Sequence, residues 1–159
     1  MNRQILLALI FSILVTPAYA ANNSKSPWGY AKEIEQEYSK QKVVYDASVN
    51  TVEAMTSILN RASYLSALNG ADPFENKISI VLHGNEIPFF AIKNYDKYKA
   101  MMDRAQSLTV GGIIEFKMCK IAAKGQGFDA KDIQGFVSMV PMGDAEIIKL
   151  QLDGYAYMR

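Results

Sequence analysis

The sequence predicts an α/β fold with a mainly parallel sheet covered by helices on both faces. Two observations predict it. Short β-branched or apolar segments alternate with segments of helical periodicity from residue 42 onward. One of the strand segments, "KISIVL", is a near-continuous apolar run, the pattern of a strand buried on both faces. Strands alternating with helices point to βαβ units and therefore to parallel pairing.

The elements follow in order. "KVVYDAS" is β-branched and aromatic and reads as a strand over Val43 to Ala47. In "NTVEAMTSILNRASYLSALNG", Asn50 and Glu53 form a capping-box signature. Val52, Met55, Ile58, Leu59, Ala62 and Leu65 then keep helical spacing until Gly70. The second strand is Ile78 to Leu82. "DKYKAMMDRAQSL" gives a second helix with Tyr98, Met101, Met102, Ala105 and Leu108 on one side, stopped by Gly111-Gly112. "IIEFKMC" is a third strand, "KIAAKGQG" a helical turn or short helix, and "FVSMV" a fourth strand. "GDAEIIKLQLDG" is a last helix, capped by Asp144 and stopped by Gly154. The terminal "GYAYMR" offers two tyrosines to cover a sheet edge or a neighbouring subunit.

Residues 1–20 have the order of a secretory signal peptide. A charged start at Arg3 is followed by an apolar run from Ile5 to Val15 and by Ala18-Tyr19-Ala20, a small-x-small cleavage site. The run is short for a permanent membrane anchor, and no lipobox cysteine follows it. Nothing after it is apolar enough to cross a membrane. Residues 21–41 are a polar tail, in which Ala31 to Lys40 has the composition of a short helix or of an arm on a partner subunit. Residues 42–159 are sized for one domain.

Arg3 is the only charge of the leader, so one of the 17 basic residues is lost with it and 16 remain against 16 acidic ones. Both signs are interspersed. Without a basic stripe to follow a phosphate backbone, nucleic-acid binding is disfavoured. The single cysteine, Cys119, cannot form an internal disulfide. An exported lone thiol is buried and inert, paired between chains, or chemically used.

Ligands of open α/β sheets bind at the carboxyl ends of the strands. That rim here is Asp46 to Ser48, His83-Gly84-Asn85, Cys119-Lys120 and Pro141-Met142-Gly143. The only histidine and the only cysteine of the chain both fall on it. Cys119 is readable as a small apolar filler. It is also readable as a reactive thiol before a helix, with Lys117, Lys120 and Lys124 nearby in sequence to stabilise a thiolate. His83 is readable as a structural residue or as a contact to substrate or to a bound anion, with Gly84 giving the backbone room to turn. One histidine, one cysteine and scattered carboxylates make a poor metal set. G-x-S-x-G, G-x-G-x-x-G and Walker loops are missing. No cofactor is expected.

"ISIVLHGNEIPFF", "GGIIEFKMCKIAAKGQG" and "VSMVPMGDAEIIKLQLDGYAYM" together resemble the DsrE/DsrF-like family. The shared features are a strand ending in His83-Gly84, a strand ending in Cys119 before a short helix, and the turn Val140-Pro141-Met142-Gly143. A closing helix with Leu150-Gln151 and then Gly154-Tyr155-Ala156-Tyr157 follows. The resemblance covers Lys42 to Met158. It implies a three-layer α/β/α fold with a mainly parallel sheet of four to five strands, and homo-oligomers, commonly trimers or hexamers. It also implies, for members that serve in sulfur relays, a persulfide carried on the cysteine that is Cys119 here. His83, Gly84, Pro141 and Gly143 are then the expected ligand-binding residues. A sulfur donor or acceptor protein is the expected partner, and the periplasm the expected compartment. At most the chain is a sulfur carrier of sulfurtransferase type. The alternatives are a non-catalytic oligomeric module for a small ligand or partner, with a structural cysteine, and a redox sensor that forms an inter-subunit disulfide.

Overall fold

The computed structural model describes residues 27–72, 74 and 77–159. The signal-peptide reading of residues 1–20 lies outside them. The chain divides into two units after Gln36. Of the first, residues 27–36 carry a turn at 27–28 and otherwise neither helix nor strand. The helix expected over Ala31 to Lys40 is not formed. A helix that short is marginal in water without a packed face.

In the second unit the strands are β1 (Lys42–Ala47), β2 (Lys77–Leu82), β3 (Ile114–Cys119), β4 (Val137–Val140) and β5 (Ala156–Met158). The helices are α1 (Val52–Leu68), α2 (Tyr95–Thr109), α3 (Lys120–Gly125) and α4 (Gly143–Leu152). All pairings are parallel, in the order β4-β3-β2-β1-β5. The sheet is thus five-stranded, with "AYM" supplying an edge strand that pairs Val43–Tyr45.

The two-residue period of the strands sorts their side chains onto two faces. Val43, Tyr45 and Ala47 of β1, Ile78, Ile80 and Leu82 of β2, and Ile114, Phe116 and Met118 of β3 form one face. They pack with Met55, Ile58, Leu59 and Ala62 of α1 and with Met101, Met102 and Ala105 of α2 in the main core. Each such buried aliphatic or aromatic side chain contributes about 1.5–3 kcal/mol through removal from water, so this face dominates stability. Residues 87–94, between β2 and α2, add two short 3-10 turns, the first of which buries Ile87, Phe89 and Phe90. The Phe90 ring centroid lies 5.7 Å from that of Phe116, which is 5.5 Å from Phe136.

The opposite face holds the alternate residues, and α4 crosses it. Val44 and Val81 meet Ile147 and Leu150 in a smaller apolar cluster. Helices therefore cover both faces, in three layers.

Two caps differ from expectation. Thr51, not Asn50, is the N-cap of α1: its backbone is extended and its Oγ1 accepts the Ala54 N–H at 3.1 Å. Asn50 is drawn away by Asn85, whose Nδ2 donates to its Oδ1 at 2.7 Å. Asp144 is the second residue of α4 rather than its cap, since Met142 holds the N-cap position without a side-chain bond. Its carboxylate still favours the positive end of the helix dipole. Gly111, Gly112 and Gly154 all take positive φ, which explains why the chain stops its helices there.

Candidate functional site

Register brings the rim residues together. Ala47, Leu82 and Met118 are neighbours across β1, β2 and β3. One residue further, His83 and Cys119 therefore stand at the carboxyl ends of adjacent strands. By the two-residue period Asp46, His83 and Cys119 share the α4 face of the sheet.

Gly143, the first residue of α4, seats itself on this pair. A Cβ at Gly143 would lie 2.9 Å from His83 Cβ and 3.2 Å from Cys119 Cβ, so only glycine allows the helix to start so close to the strand ends. His83, Cys119, Ile121, Ala122, Met142, Gly143 and Asp144 line a cavity of about 210 Å³ here. Of the expected site residues, Cys119, His83 and Gly143 are brought together. Pro141 is exposed and Gly84 half-buried, and neither lines the cavity.

Cys119 is only 5% exposed and carries a free thiol. It is also the N-cap of α3, its Sγ accepting the Ala122 N–H at 3.4 Å. None of the nearby lysines lines this cavity. Lys117 Nζ bonds Glu146 Oε1 at 2.6 Å and lies 3.3 Å from Glu115 Oε1. Lys120 and Lys124 line a separate cavity with Phe128 and Met139.

His83 is held by Asp46. Its Nε2 lies 2.6 Å from Asp46 Oδ1, and its Nδ1 lies 4.0 Å from Asp144 Oδ1. The second Asp46 oxygen, Oδ2, accepts the Tyr157 hydroxyl at 2.5 Å. Burial works to raise the Asp46 pKa. The hydrogen bonds from Tyr157 and His83, with the charges of His83 and Arg159, outweigh it and hold the pKa below the usual aspartate value. Asp46 is therefore a carboxylate throughout the neutral range.

Below the pair lies a second carboxyl group, Glu86, with no exposed surface. Its Oε1 accepts the Gly84 N–H at 2.8 Å and its Oε2 the Val49 N–H at 3.1 Å. Burial pushes its pKa above the ordinary glutamate value against these backbone donors. Gly84 is pinned between Ser48 and Glu86, where a Cβ would meet Ser48 Oγ at 2.7 Å and Glu86 Oε2 at 2.8 Å. Its carbonyl accepts Gln126 Nε2 at 2.9 Å, tying the end of α3 to the His83 loop. The role of Gly84 is thus to let two rim loops touch.

Sequence reasoning put Asp46 on the rim without giving it a role, and it missed Tyr157, Asp144 and Glu86. The alternation of β1 could have placed Asp46 on the His83 face. Nothing local could have found Tyr157, which is 111 residues away from its partner. Among the described residues, no group of three or more His, Cys, Asp or Glu side chains could hold a metal ion. No helix among them is long and apolar enough to cross a membrane.

A solved structure with the same fold is the "Protein of Unknown Function MTH1491" from Methanobacterium thermoautotrophicum. It is 20% identical with a TM-score of 0.55, and the match covers 76% of this chain and 99% of that one. At that identity the likeness speaks for the fold alone. No curated protein matches the chain. The sequence profile of the DsrE/DsrF-like family matches residues 42–159, which include all five strands, Cys119 and His83, and the chain belongs to that family.

Proposed function

We propose that this protein is an exported, periplasmic DsrE/DsrF-like sulfur carrier, loaded as a persulfide on Cys119 with His83 in the wall of the pocket. The observation that carries the reading is the cavity at the carboxyl rim, into which the only thiol and the only imidazole of the chain both face. The cavity suits a small sulfur species rather than a large substrate. Loading needs no external oxidant. The Cys119 thiolate, the nucleophilic form, attacks the outer sulfur of a donor persulfide R–S–SH. The donor S–S bond breaks, a new one forms on Cys119, and R–S⁻ departs with the cysteine proton. The products are Cys119–S–SH and R–SH. The donor is then a protein or low-molecular-weight persulfide, and the acceptor a thiol.

A second copy of the chain is the other partner we propose. Ala145, Ile148 and Leu152 stand exposed on the outer side of α4, and Ile121 and Met142 are exposed at the mouth of the cavity. This apolar edge next to the thiol supports a homo-oligomer, a trimer or hexamer, that shelters the pocket.

The test is intact mass spectrometry of the protein after treatment with a persulfide or polysulfide donor. The expected result is the gain of a reducible sulfur atom, lost in Cys119→Ser. No gain, with a thiol unreactive to alkylating agents in the native state, would remove the carrier role. The low exposure of Cys119 favours a second reading, a non-catalytic binding module in which the thiol is packing. Unchanged stability and ligand binding in Cys119→Ser would support it.

A further inference from the structure

Three strands meet at one carboxylate. Asp46 of β1 receives His83 from the end of β2 on Oδ1 and Tyr157 of β5 on Oδ2. An ionised carboxylate only accepts hydrogen bonds. Its contact with His83 Nε2 therefore requires the proton of the neutral imidazole to sit on Nε2. The other ring nitrogen, Nδ1, must then carry the lone pair. Nδ1 is the nitrogen that faces Asp144, a lining residue of the Cys119 cavity.

We infer that Asp46 and Tyr157 are positioning residues, which together fix His83 as the Nε2–H tautomer and turn its basic Nδ1 toward the cavity to receive the Cys119 proton. Tyr157 orients the carboxylate by occupying Oδ2, so that Oδ1 alone is left for the histidine. The C-terminal strand is on this view part of the site, not only an edge of the sheet. In the loading step the proton leaves Cys119 Sγ for Nδ1 and passes from there to the departing thiolate, so no charge accumulates. The titratable groups around His83 are Asp46 with Arg159 near it, Tyr157 through Asp46, Asp144 across the cavity, and Glu86 beneath the loop. The use of Nδ1 as a base rests on the proposed sulfur chemistry, whereas the tautomer does not.

The chain has one histidine, so untagged ¹⁵N-labelled protein gives one pair of imidazole nitrogen signals. With the imidazole neutral, wild type is expected to show a protonated Nε2 and a bare Nδ1. In Asp46→Asn, Tyr157 still donates to the amide oxygen, so the amide NH₂ faces Nε2 and the tautomer switches to Nδ1–H. In the double variant Asp46→Asn/Tyr157→Phe the amide is free to turn its oxygen back to Nε2–H, and the wild-type pattern returns at least in part. A wild-type proton on Nδ1, or an unchanged pattern in Asp46→Asn, overturns the inference. A double variant identical to Asp46→Asn removes Tyr157 from it. Persulfide loading of Asp46→Asn is expected to slow on the order of a hundredfold, the usual worth of a general base. If wild type shows the Nε2–H tautomer but never takes up sulfur, the carrier reading falls and the positioning stands.

Discussion

Gly143→Ala puts one methyl group where α4 starts against the rim. Its Cβ would stand 2.9 Å from His83 Cβ and 3.2 Å from both Cys119 Cβ and His83 Cγ. Carbon atoms pack at about 3.5–4.0 Å, so helix and strand ends must separate by roughly 0.6 Å or more. Two of the contacted atoms are Cβ atoms, which no side-chain rotation moves, and His83 Cγ is held by the bond of its ring to Asp46. Overpacking of this kind costs about 1–3 kcal/mol. Alanine recovers at most about 1 kcal/mol over glycine from helix propensity. Subtracting that maximum leaves a net loss of about 0–2 kcal/mol, seen as a lower urea midpoint at unchanged slope. Gly125→Ala is the control. It makes the same substitution at the end of α3, where nothing lies within 4 Å and φ is not positive. There the change is expected to be neutral or to stabilise by up to about 1 kcal/mol. The displacement should also be felt by the thiol, so Gly143→Ala should alter the rate of Cys119 alkylation and Gly125→Ala should not. A Gly143→Ala protein as stable as wild type, with Cys119 equally reactive, would refute the close seating of α4 on the His83–Cys119 pair.

Glu86→Gln keeps the shape of the buried side chain but turns an NH₂ toward one of the two backbone N–H groups that the carboxylate serves. Stranding that donor should cost about 1–3 kcal/mol. Because the folded pKa of Glu86 is raised, the folded state binds its proton more tightly than the unfolded chain does. The stability advantage of wild type over the variant should therefore grow as pH falls from neutral through the folded pKa, and level off below the ordinary glutamate range. Parallel urea titrations across that window check the sign, and an advantage that shrinks with acid would contradict it. Leu152→Asp places a charge on the exposed apolar edge of α4, where Leu152 is 84% exposed. The monomer fold should be nearly indifferent, within about 0.5 kcal/mol. Light scattering should show wild type as an oligomer and the variant at lower mass, and a monomeric wild type would end the oligomer proposal.

What the sequence made legible was the periodic part. β1 to β4 and α1, α2 and α4 carry their own apolar patterns and turn residues, and their ends fall within a few residues of the reading. β5 was readable only as two edge tyrosines, because three residues are too few for a period and the strand exists by pairing with Val43–Tyr45. The 3-10 turn that buries Phe89 and Phe90 has neither strand nor helix period. Asn50 and Thr51 are both good N-caps, and the choice was made by Asn85, a partner 35 residues away. The rim rule found His83 and Cys119 because strand ends are local. It gave Asp46, Tyr157 and Glu86 no role, because their chemistry is set by register and by contacts between loops.

The two faces of the sheet explain why a polar rim site can sit in so small a domain. The face toward α1 and α2 takes nearly all the large apolar side chains of β1, β2 and β3, so the fold does not depend on the other face for its core. On the α4 face only Val44, Val81, Ile147 and Leu150 form a buried apolar cluster. The same three strands give that face Asp46, His83, Glu115, Lys117 and Cys119. Toward the middle of the sheet these polar residues are neutralised in place, as Lys117 is by Glu146 and Glu115. At the carboxyl rim, α4 has only just begun and Gly143 brings no side chain, so His83 and Cys119, the last of their series, are left facing a cavity. Moving any one of these side chains to the opposite face requires a one-residue slip of its strand. Such a slip would also carry the apolar series out of the main core. The packing that stabilises one face thereby fixes which atoms meet on the other.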